Sequence, residues 1–256
     1  RKRPPPNKRR PIKFQPRDAE FIRAVNDYRA LTAAQLQRLF AITSTPMQRR
    51  LIALWEHEYL DCQEITVFGR KAVNAPYLYT IGSRGVRALV DVFEYDRSQI
   101  KRPRRDYSWR FSDHLLALNN FRVSVAVAAQ EKGWLLETWL DERIFRQDPE
   151  YVTLKDSKGK SQPKPVYPDG YFCLSVPQGR AHFLVEVDRG TELRKDFRPQ
   201  ILVYEEYVKS GAYGVRFSER SLRILIVTTT PTRVATLKKW TASADGDDKY
   251  WFTTSK

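Results

Sequence analysis

Cysteine is scarce in this chain of 256 residues: there are two, Cys62 and Cys173, far apart and without a CxxC pair. A disulfide scaffold or a zinc site needs clustered ligands, so this usage argues against both and is typical of a reducing cytosol. No apolar run is long enough for a transmembrane helix, and no signal peptide is recognisable. We therefore expect a cytoplasmic protein, associated with nucleoid or plasmid, that does not bind membranes.

Acidic residues are missing from the first seventeen positions, which hold eight Lys and Arg in a chain of net charge +15. Proline is frequent here, and residues 1–16 are predicted to be a disordered basic arm. A second basic run begins at Lys101, within a predicted linker over residues 100–110. Basic runs stay solvated and release counterions on meeting phosphates, which favours nucleic acid over a solubilising role. The linker residues predicted to contact DNA are Arg102, Arg104 and Arg105.

Residues 17–99 are predicted to form a winged helix-turn-helix domain. Thr32 is placed to cap a short helix over 33–40, and Thr45-Pro46 is a start signal for a third helix reaching about residue 59. A strand over 60–68, a basic tip and a returning strand over 77–80 predict the wing. The predicted DNA contacts are Gln48, Arg49 and Arg50 in the major groove, with Arg70 and Lys71 on the backbone or minor groove. The alternative is a module for protein contacts.

Residues 111–256 are predicted to form an α/β domain with a mixed central sheet. The order is a long helix over 111–132, three strands, a helix over 197–209 capped by Asp196, a buried strand over 222–230 and a closing helix. The segment 155–164 is predicted to be a polar loop. The overall fold class is therefore α/β (α+β), with the winged helix-turn-helix first.

Three carboxylates are expected on one face of the hairpin in this second domain. The turn centres on Pro177-Gln178, which sets Asp169 opposite Glu186, and Asp188 shares that face because strand side chains alternate. Phe183, Val185 and Val187 then point the other way, into the core. Clustered carboxylates repel one another unless they hold a cation, and oxygen ligands suit Mg²⁺ or Mn²⁺. The alternative is that they pair with Arg189, Arg194 or Lys195.

Two resemblances follow from these residues. Pro168-Asp169, Glu186-Val187-Asp188 and the Gln200–Tyr204 spacing resemble the PD-(D/E)xK nucleases and the QxxxY of their RecB-like branch. The chain from Arg17 to about Phe252 resembles the replication-relaxation family of bacterial mobile elements. The stretches that carry the second resemblance are Arg49-Arg50-Leu51, the helix with His114, Pro168-Asp169-Gly170, residues 186–191 and residues 226–230.

The resemblance implies a DNA-binding protein of plasmid replication, relaxation or mobilisation, acting as a metal-dependent endonuclease or nickase. Asp169 and Glu186 would hold Mg²⁺ or Mn²⁺, and Asp188 would be a third ligand or orient water. The implied partners are double-stranded DNA and other replication or mobilisation proteins. The further catalytic candidates are Gln200, Tyr204 and His114.

One departure from the motif leaves alternatives open, because Asp188 stands where the nucleases have a lysine. Lys195 and Arg189 are the candidates to replace that lysine, but neither matches the motif. The chain is then an active enzyme with a displaced cationic partner, a nickase that works differently, or a silent nuclease fold that regulates replication or transcription. A further alternative is a relaxase whose nucleophile is Tyr167 or Tyr171.

Overall fold

The computed structural model describes residues 2–67, 70–71, 75–97, 100, 102–103, 107–155, 158–219, 221–246 and 248–255, without the side chains of residues 66, 67, 70, 71, 109 and 110. The chain divides into two units, Arg1–Val123 and Ser124–Lys256. No helix in these ranges is long and apolar enough to cross a membrane.

The first unit has the element order of a winged helix-turn-helix. Its elements are α1 (Pro16–Asp27), β1 (Leu31–Thr32), α2 (Ala33–Phe40), α3 (Ser44–Glu56), β2 (Leu60–Glu64), β3 (Thr66–Val67), β4 (Arg70–Lys71), β5 (Tyr77–Ile81), α4 (Ser83–Phe93) and the first part of α5 (Trp109–Lys132). Strands β1, β5 and β2 form an antiparallel sheet in that order, and β3 pairs with β4 as a short hairpin. The hairpin lies where the wing is predicted.

Local signals set the start of α2 and α3. The Thr32 hydroxyl accepts a hydrogen bond from the Gln35 N–H at 3.3 Å, and the Gln35 side chain accepts one from the Thr32 N–H at 2.9 Å. This capping box confirms the predicted cap. Helix α3 begins at Ser44, with Thr43 as its N-cap, two residues earlier than predicted. Pro46 then lies in the first turn, where the missing N–H costs no helical hydrogen bond.

The arm predicted to be disordered is held against the first unit instead. The Arg3 guanidinium donates to the carbonyls of Trp55 and Leu60 at 2.7 and 2.8 Å, and to the Asp61 carboxylate. The reason is charge complementarity, because acids cluster where α3 ends and β2 begins. The other contacts of this kind are Arg9 with Glu58 and Arg10 with Glu56.

The boundary between the units also differs from the predicted linker at 100–110, since it falls within α5, after Val123. The Asn119 side chain donates to the carbonyls of Tyr28 and Ala30, at 3.0 and 2.6 Å. These bonds satisfy backbone acceptors between α1 and β1, so the first half of α5 is part of the first unit. Composition places the boundary at the basic run, whereas in the structure the helix α5 continues across the boundary.

The second unit is built on the mixed sheet that the sequence predicts. Its elements are β6 (Leu135–Asp141), α6 (Glu142–Gln147), β7 (Tyr151–Lys155), β8 (Ser161–Pro165), β9 (Gly170–Val176), β10 (Gly179–Val187), α7 (Arg194–Lys209), α8 (Ala212–Phe217), β11 (Arg223–Thr228), α9 (Pro231–Ala242) and β12 (Tyr250–Thr254). The strand order is β12-β11-β10-β9-β6. Strands β10, β11 and β12 are parallel, while β6 and β10 are antiparallel to β9.

Three predictions for this unit need correction. The segment 155–164, predicted to be a polar loop, contains most of β8, which pairs with β7. Helix α7 begins at Arg194 with Leu193 as its N-cap, so Asp196 lies in the first turn rather than at the cap. The face of β10 opposite Val185 is also not expected in the core, but both faces of β10 are buried, since Leu184 and Val185 are each 0% exposed. The core therefore includes the face that carries Glu186, where side chains of α7 pack.

Candidate functional site

Asp169 and Glu186 face each other across the β9–β10 hairpin. The strands pair with Gly170 opposite Val185, and this register, continued by one residue, sets Asp169 opposite Glu186. Oδ2 of Asp169 accepts a hydrogen bond from the backbone N–H of Val187 at 2.8 Å. The pairing predicted from the position of the turn is confirmed as geometry. Two carboxylates thus meet where β9 begins and β10 ends.

Helix α7 supports Glu186 from above the sheet. The Tyr204 hydroxyl donates to Oε1 of Glu186, and Gln200 adds a second side-chain hydrogen bond. Glu186 is 9% exposed and Tyr204 is 1% exposed. Burial raises the pKa of Glu186 well above its ordinary value, and the neighbouring charge of Asp169 raises it further. The Gln-xxx-Tyr spacing therefore serves to hold one buried carboxylate.

Asp188 does not join the other two carboxylates as a third cation ligand. Its oxygens accept hydrogen bonds from Nε and Nη2 of Arg233, both at 2.8 Å, and from the Thr228 hydroxyl at 2.6 Å. Burial raises the pKa of Asp188, but these donors outweigh it and hold the pKa below its ordinary value. No set of three or more His, Cys, Asp or Glu among the described residues has metal-site geometry. The predicted three-carboxylate site is therefore replaced by a carboxylate pair beside an ion pair.

Glu192 is a residue of this cluster that the sequence reasoning did not single out. It lies in the loop between β10 and α7, half-buried. Burial is the largest cause that raises its pKa to about 7, with smaller contributions from Asp188 and Asp169, while Arg233 opposes the shift. Its charge also raises the pKa of Glu186. Residues 186–191, which carry part of the resemblance to the replication-relaxation family, end directly before Glu192, and this proximity could have pointed to it.

Arg233 was also missed, although a signal for its position existed. The Thr230 side chain accepts a hydrogen bond from the Arg233 N–H at 3.2 Å and caps α9. Pro231 follows as the first residue of the helix. Because β10 and β11 are parallel neighbours, this first turn starts at the same sheet edge where β10 ends. The cap therefore places Arg233 beside Asp188.

A cleft of about 310 Å³ opens over Gln200 and Tyr204, the two residues that hold Glu186. Of the two tyrosines considered as nucleophiles, Tyr167 lines this cleft. Tyr171 instead is 3% exposed, and its hydroxyl is 2.7 Å from Nδ1 of His182. Tyr171 is therefore a core residue. The other polar residues that line the cleft are Glu192, Asp196, Gln200 and Tyr204.

The donor set at this site fits a divalent cation held by two carboxylates rather than three. Asp169 and Glu186 are oxygen donors that repel each other, and burial makes the charge on Glu186 costly. A hard cation removes both penalties and prefers oxygen ligands. Glu192 lies close enough to interact electrostatically with both carboxylates.

The residues predicted to contact DNA fall into two groups. Gln48 and Arg49 are exposed on the first half of α3. Arg50 instead forms a salt bridge with Asp18, which is 1% exposed, and its Nη2 donates to the Lys13 carbonyl at 2.8 Å. The prediction that Arg50 faces the major groove is corrected, because the buried Asp18 carboxylate holds it inward.

The remaining predicted site residues lie in the first unit or outside the described ranges. Nη2 of Arg102 forms a salt bridge with Asp61 at 2.6 Å, with an exposed side chain. His114 is half-buried on the part of α5 that belongs to the first unit. Arg104, Arg105 and the side chains of Arg70 and Lys71 lie outside the described part of the structure.

Comparison with known proteins gives one finding. A family model described as replication-relaxation matches residues 22–216, more than half of the chain. The matched range contains the helix-turn-helix, the carboxylate pair and the Gln200–Tyr204 helix, and it ends before Arg233. No curated protein and no solved structure matches the chain.

Proposed function

Because the chain belongs to the replication-relaxation family, we propose that it acts on plasmid or other mobile-element DNA as a metal-dependent endonuclease or nickase. The family membership supports a role in replication or relaxation of such elements. In this proposal the first unit binds double-stranded DNA and the second unit hydrolyses a phosphodiester bond. Other replication or mobilisation proteins are its expected partners.

The observation that carries the proposal is the opposed carboxylate pair, Asp169 and Glu186, with Glu186 buried and held by Tyr204. Keeping the buried Glu186 carboxylate beside a second, half-buried carboxylate is unfavourable, so a fold that needed only stability would gain by replacing one of them. A cation site for phosphoryl transfer does need them. Gln200 and Tyr204 keep the Glu186 oxygens in place while the charges repel.

Bound Mg²⁺ or Mn²⁺ supplies a polarised water and a positive charge beside the phosphate. Asp169 and Glu186 would hold the ion, and the Val187 N–H fixes one Asp169 oxygen. Glu192, which neighbours both carboxylates, is the candidate to accept the proton of the attacking water. The cleft beside these residues is where a DNA strand would enter.

DNA binding in this proposal rests on the exposed start of α3 in the first unit. Arg49 and Gln48 are presented to solvent there, as a helix that enters the major groove requires. The overall charge of +15 strengthens non-specific attraction to phosphates. Binding should therefore weaken steeply as salt concentration rises.

The test is incubation of supercoiled plasmid with the full chain and Mg²⁺ or Mn²⁺, read as nicked product on a gel. Glu186→Gln keeps the shape of the side chain and removes the charge, so we expect it to abolish nicking. It should also abolish any thermal stabilisation by Mn²⁺, because a ligand that binds only the folded state stabilises it. The matched control is Glu131→Gln, an exposed acid on α5.

A silent fold is the second candidate function, and the Asp188–Arg233 ion pair favours it, since no lysine stands in the motif. In that case the wild type gives neither nicked product nor a thermal response to Mn²⁺, while duplex binding persists. Such a result would make the chain a DNA-binding regulator of replication or transcription.

The position of Tyr167 in the cleft supports a third candidate, a relaxase with a tyrosine nucleophile. A covalent protein–DNA adduct that resists denaturant and disappears in Tyr167→Phe would identify it. Metal-dependent hydrolysis instead gives nicked DNA with free ends and no adduct. The same plasmid assay, with and without protease treatment, separates the two.

A further inference from the structure

Arg233 lies beside Asp188 and Glu192 although it comes from the far end of the chain. Its Nη2 donates to the backbone carbonyl of Glu192 at 2.7 Å and to Oδ1 of Asp188 at 2.8 Å. Asp188 follows Glu186 by two residues, just past the end of β10, and its N–H continues the strand pairing to the Val227 carbonyl, so the two side chains share a face about 7 Å apart. Glu192 interacts electrostatically with Arg233 and with both carboxylates that would hold the cation, so the guanidinium borders the same site.

The guanidinium is held rigidly. Nε and Nη2 of Arg233 each donate a hydrogen bond to a different oxygen of the Asp188 carboxylate, and the Thr228 hydroxyl donates a third hydrogen bond to the same carboxylate. The Trp240 ring lies 4.8 Å from the guanidinium carbon, measured to the ring centroid. Fork-like pairing of this kind fixes both the position and the plane of an arginine. Its orientation is set in advance of substrate binding.

Part of the donor capacity of Arg233 remains available. An arginine carries five N–H donors, and the three bonds above use Nε and Nη2. Across the described ranges of the chain, Nη1 makes no hydrogen bond. The Arg233 side chain is 15% exposed, so a ligand can reach it. A held cation with unused donors is suited to bind an anion.

We propose that Arg233 contacts the scissile phosphate and offsets the charge that develops on it, with Asp188 as its positioning residue. The inference rests on the proposed hydrolysis. The water oxygen forms a bond to phosphorus while one P–O ester bond breaks; the water proton passes to Glu192 and from there to solvent, and the leaving oxygen takes up a proton from solvent. Arg233 keeps its own protons throughout and donates hydrogen bonds to a non-bridging oxygen.

The experiment compares plasmid nicking by the full-length wild type and Arg233→Gln. We expect a loss of about 10²- to 10³-fold, the usual effect of removing one such donor, while the thermal response to Mn²⁺ is retained. Arg233→Lys should lose less, because it keeps the charge but not the fork. The matched control is Arg198→Gln, an exposed arginine on α7, which should nick as the wild type does.

Chemical rescue separates phosphate contact from a structural ion pair. Guanidinium ion at low millimolar concentration should restore part of the nicking by Arg233→Ala and leave Arg198→Gln unchanged. A second variant, Asp188→Lys combined with Arg233→Gln, moves the charge to the strand and should recover activity over Arg233→Gln alone. If the pair only stabilises the fold, both changes should restore nicking only to the extent that they restore the melting temperature; recovery of nicking at a temperature where every variant is fully folded identifies the phosphate contact.

Nicking by Arg233→Gln within twofold of the wild type would overturn the inference. If Arg233→Gln unfolds, the comparison of Arg233→Lys with the wild type decides, and equal activity contradicts a fork-like contact. If the wild type does not nick, the proposed function fails separately, and Mn²⁺-dependent binding of a duplex oligonucleotide becomes the measurement. A tenfold loss of that binding in Arg233→Gln supports the phosphate contact, and no loss overturns it.

Discussion

The Tyr204 hydroxyl donates a hydrogen bond to Oε1 of Glu186, from helix α7 to strand β10, between two side chains that are both buried. Burial raises the pKa of both groups. The charge of Glu186 raises the pKa of Tyr204 further, whereas the hydrogen bond from Tyr204 lowers the pKa of Glu186. The tyrosine therefore stabilises the ionised carboxylate that a cation site requires.

Tyr204→Phe should lower the free energy of unfolding by about 1–3 kcal/mol, the cost of leaving a buried polar group without its donor. The loss should be larger at high pH, where Glu186 is ionised, than at low pH, because the donor stabilises the ionised form of Glu186. Urea denaturation at the two pH values measures both. Tyr151→Phe, on a side chain that is 59% exposed, is the control. Equal losses at both pH values would contradict this role of Tyr204.

Glu192 predicts a pH dependence of stability with a definite sign. Its pKa is raised from 4.5 to about 7 in the folded protein. Its contribution to stability is therefore fully present below pH 4.5 and is lost as pH rises through about 7. Glu192→Gln should match the wild type near pH 4.5 and exceed it at pH 8 by about 1–2 kcal/mol after allowance for solvent screening.

Thermal melts of Glu192→Gln from pH 4.5 to 8 check this sign. The control is again Glu131→Gln, whose acid is exposed on α5. Saturating Mn²⁺ should shrink the difference at pH 8, because a cation relieves the same repulsion. A wild type that grows more stable across this range, with an unchanged slope in Glu192→Gln, would show that Glu192 is not under charge repulsion.

The sequence predicts local features of this fold well. The Thr32 cap depends on residues three positions apart, and the Asp169–Glu186 pairing depends on the position of one turn. Such features are written in short stretches of chain, where capping and strand alternation act directly. The helix-turn-helix and the hairpin could therefore be placed from the amino-acid pattern alone.

Long-range partners could not be predicted in the same way. Asp188 meets Arg233 across 45 residues, and Arg3 meets Asp61 across 58. The sequence around Asp188 or Asp61 does not predict which arginine pairs with it, because tertiary packing determines the partner. Basic composition suggested a disordered arm, and three aligned acids suggested one cation cluster. In both cases an opposite charge from a distant segment changes the outcome.

Arg49 and Arg50 are neighbours that should behave differently. Arg50→Ala leaves the Asp18 carboxylate buried and unpaired, which should lower the free energy of unfolding by about 3–5 kcal/mol. Arg49→Ala removes an exposed charge and should change stability by less than about 0.5 kcal/mol. Fluorescence anisotropy with a duplex oligonucleotide should show weaker binding for Arg49→Ala.

The control for this pair is Asp18→Asn, which should lose stability as Arg50→Ala does while Arg49 stays in place. Two results would contradict the assignment: wild-type stability in Arg50→Ala, or unchanged duplex affinity in Arg49→Ala. The second would mean that the exposed start of α3 does not contact DNA.

The arm gives the last prediction, and it reverses what composition suggests. Arg3→Ala removes hydrogen bonds to the Trp55 and Leu60 carbonyls and to Asp61, so it should lower the free energy of unfolding by about 1–3 kcal/mol. Lys8→Ala removes the same charge from an exposed side chain and serves as the control. Both should weaken DNA binding equally if charge alone matters. If only Arg3→Ala lowers the melting temperature, while the salt dependence of DNA affinity is the same for both variants, the arm stabilises the fold by its contacts with α3 and β2. Equal melting temperatures for the two variants would show that the arm is a solvated cluster of charges that does not stabilise the fold.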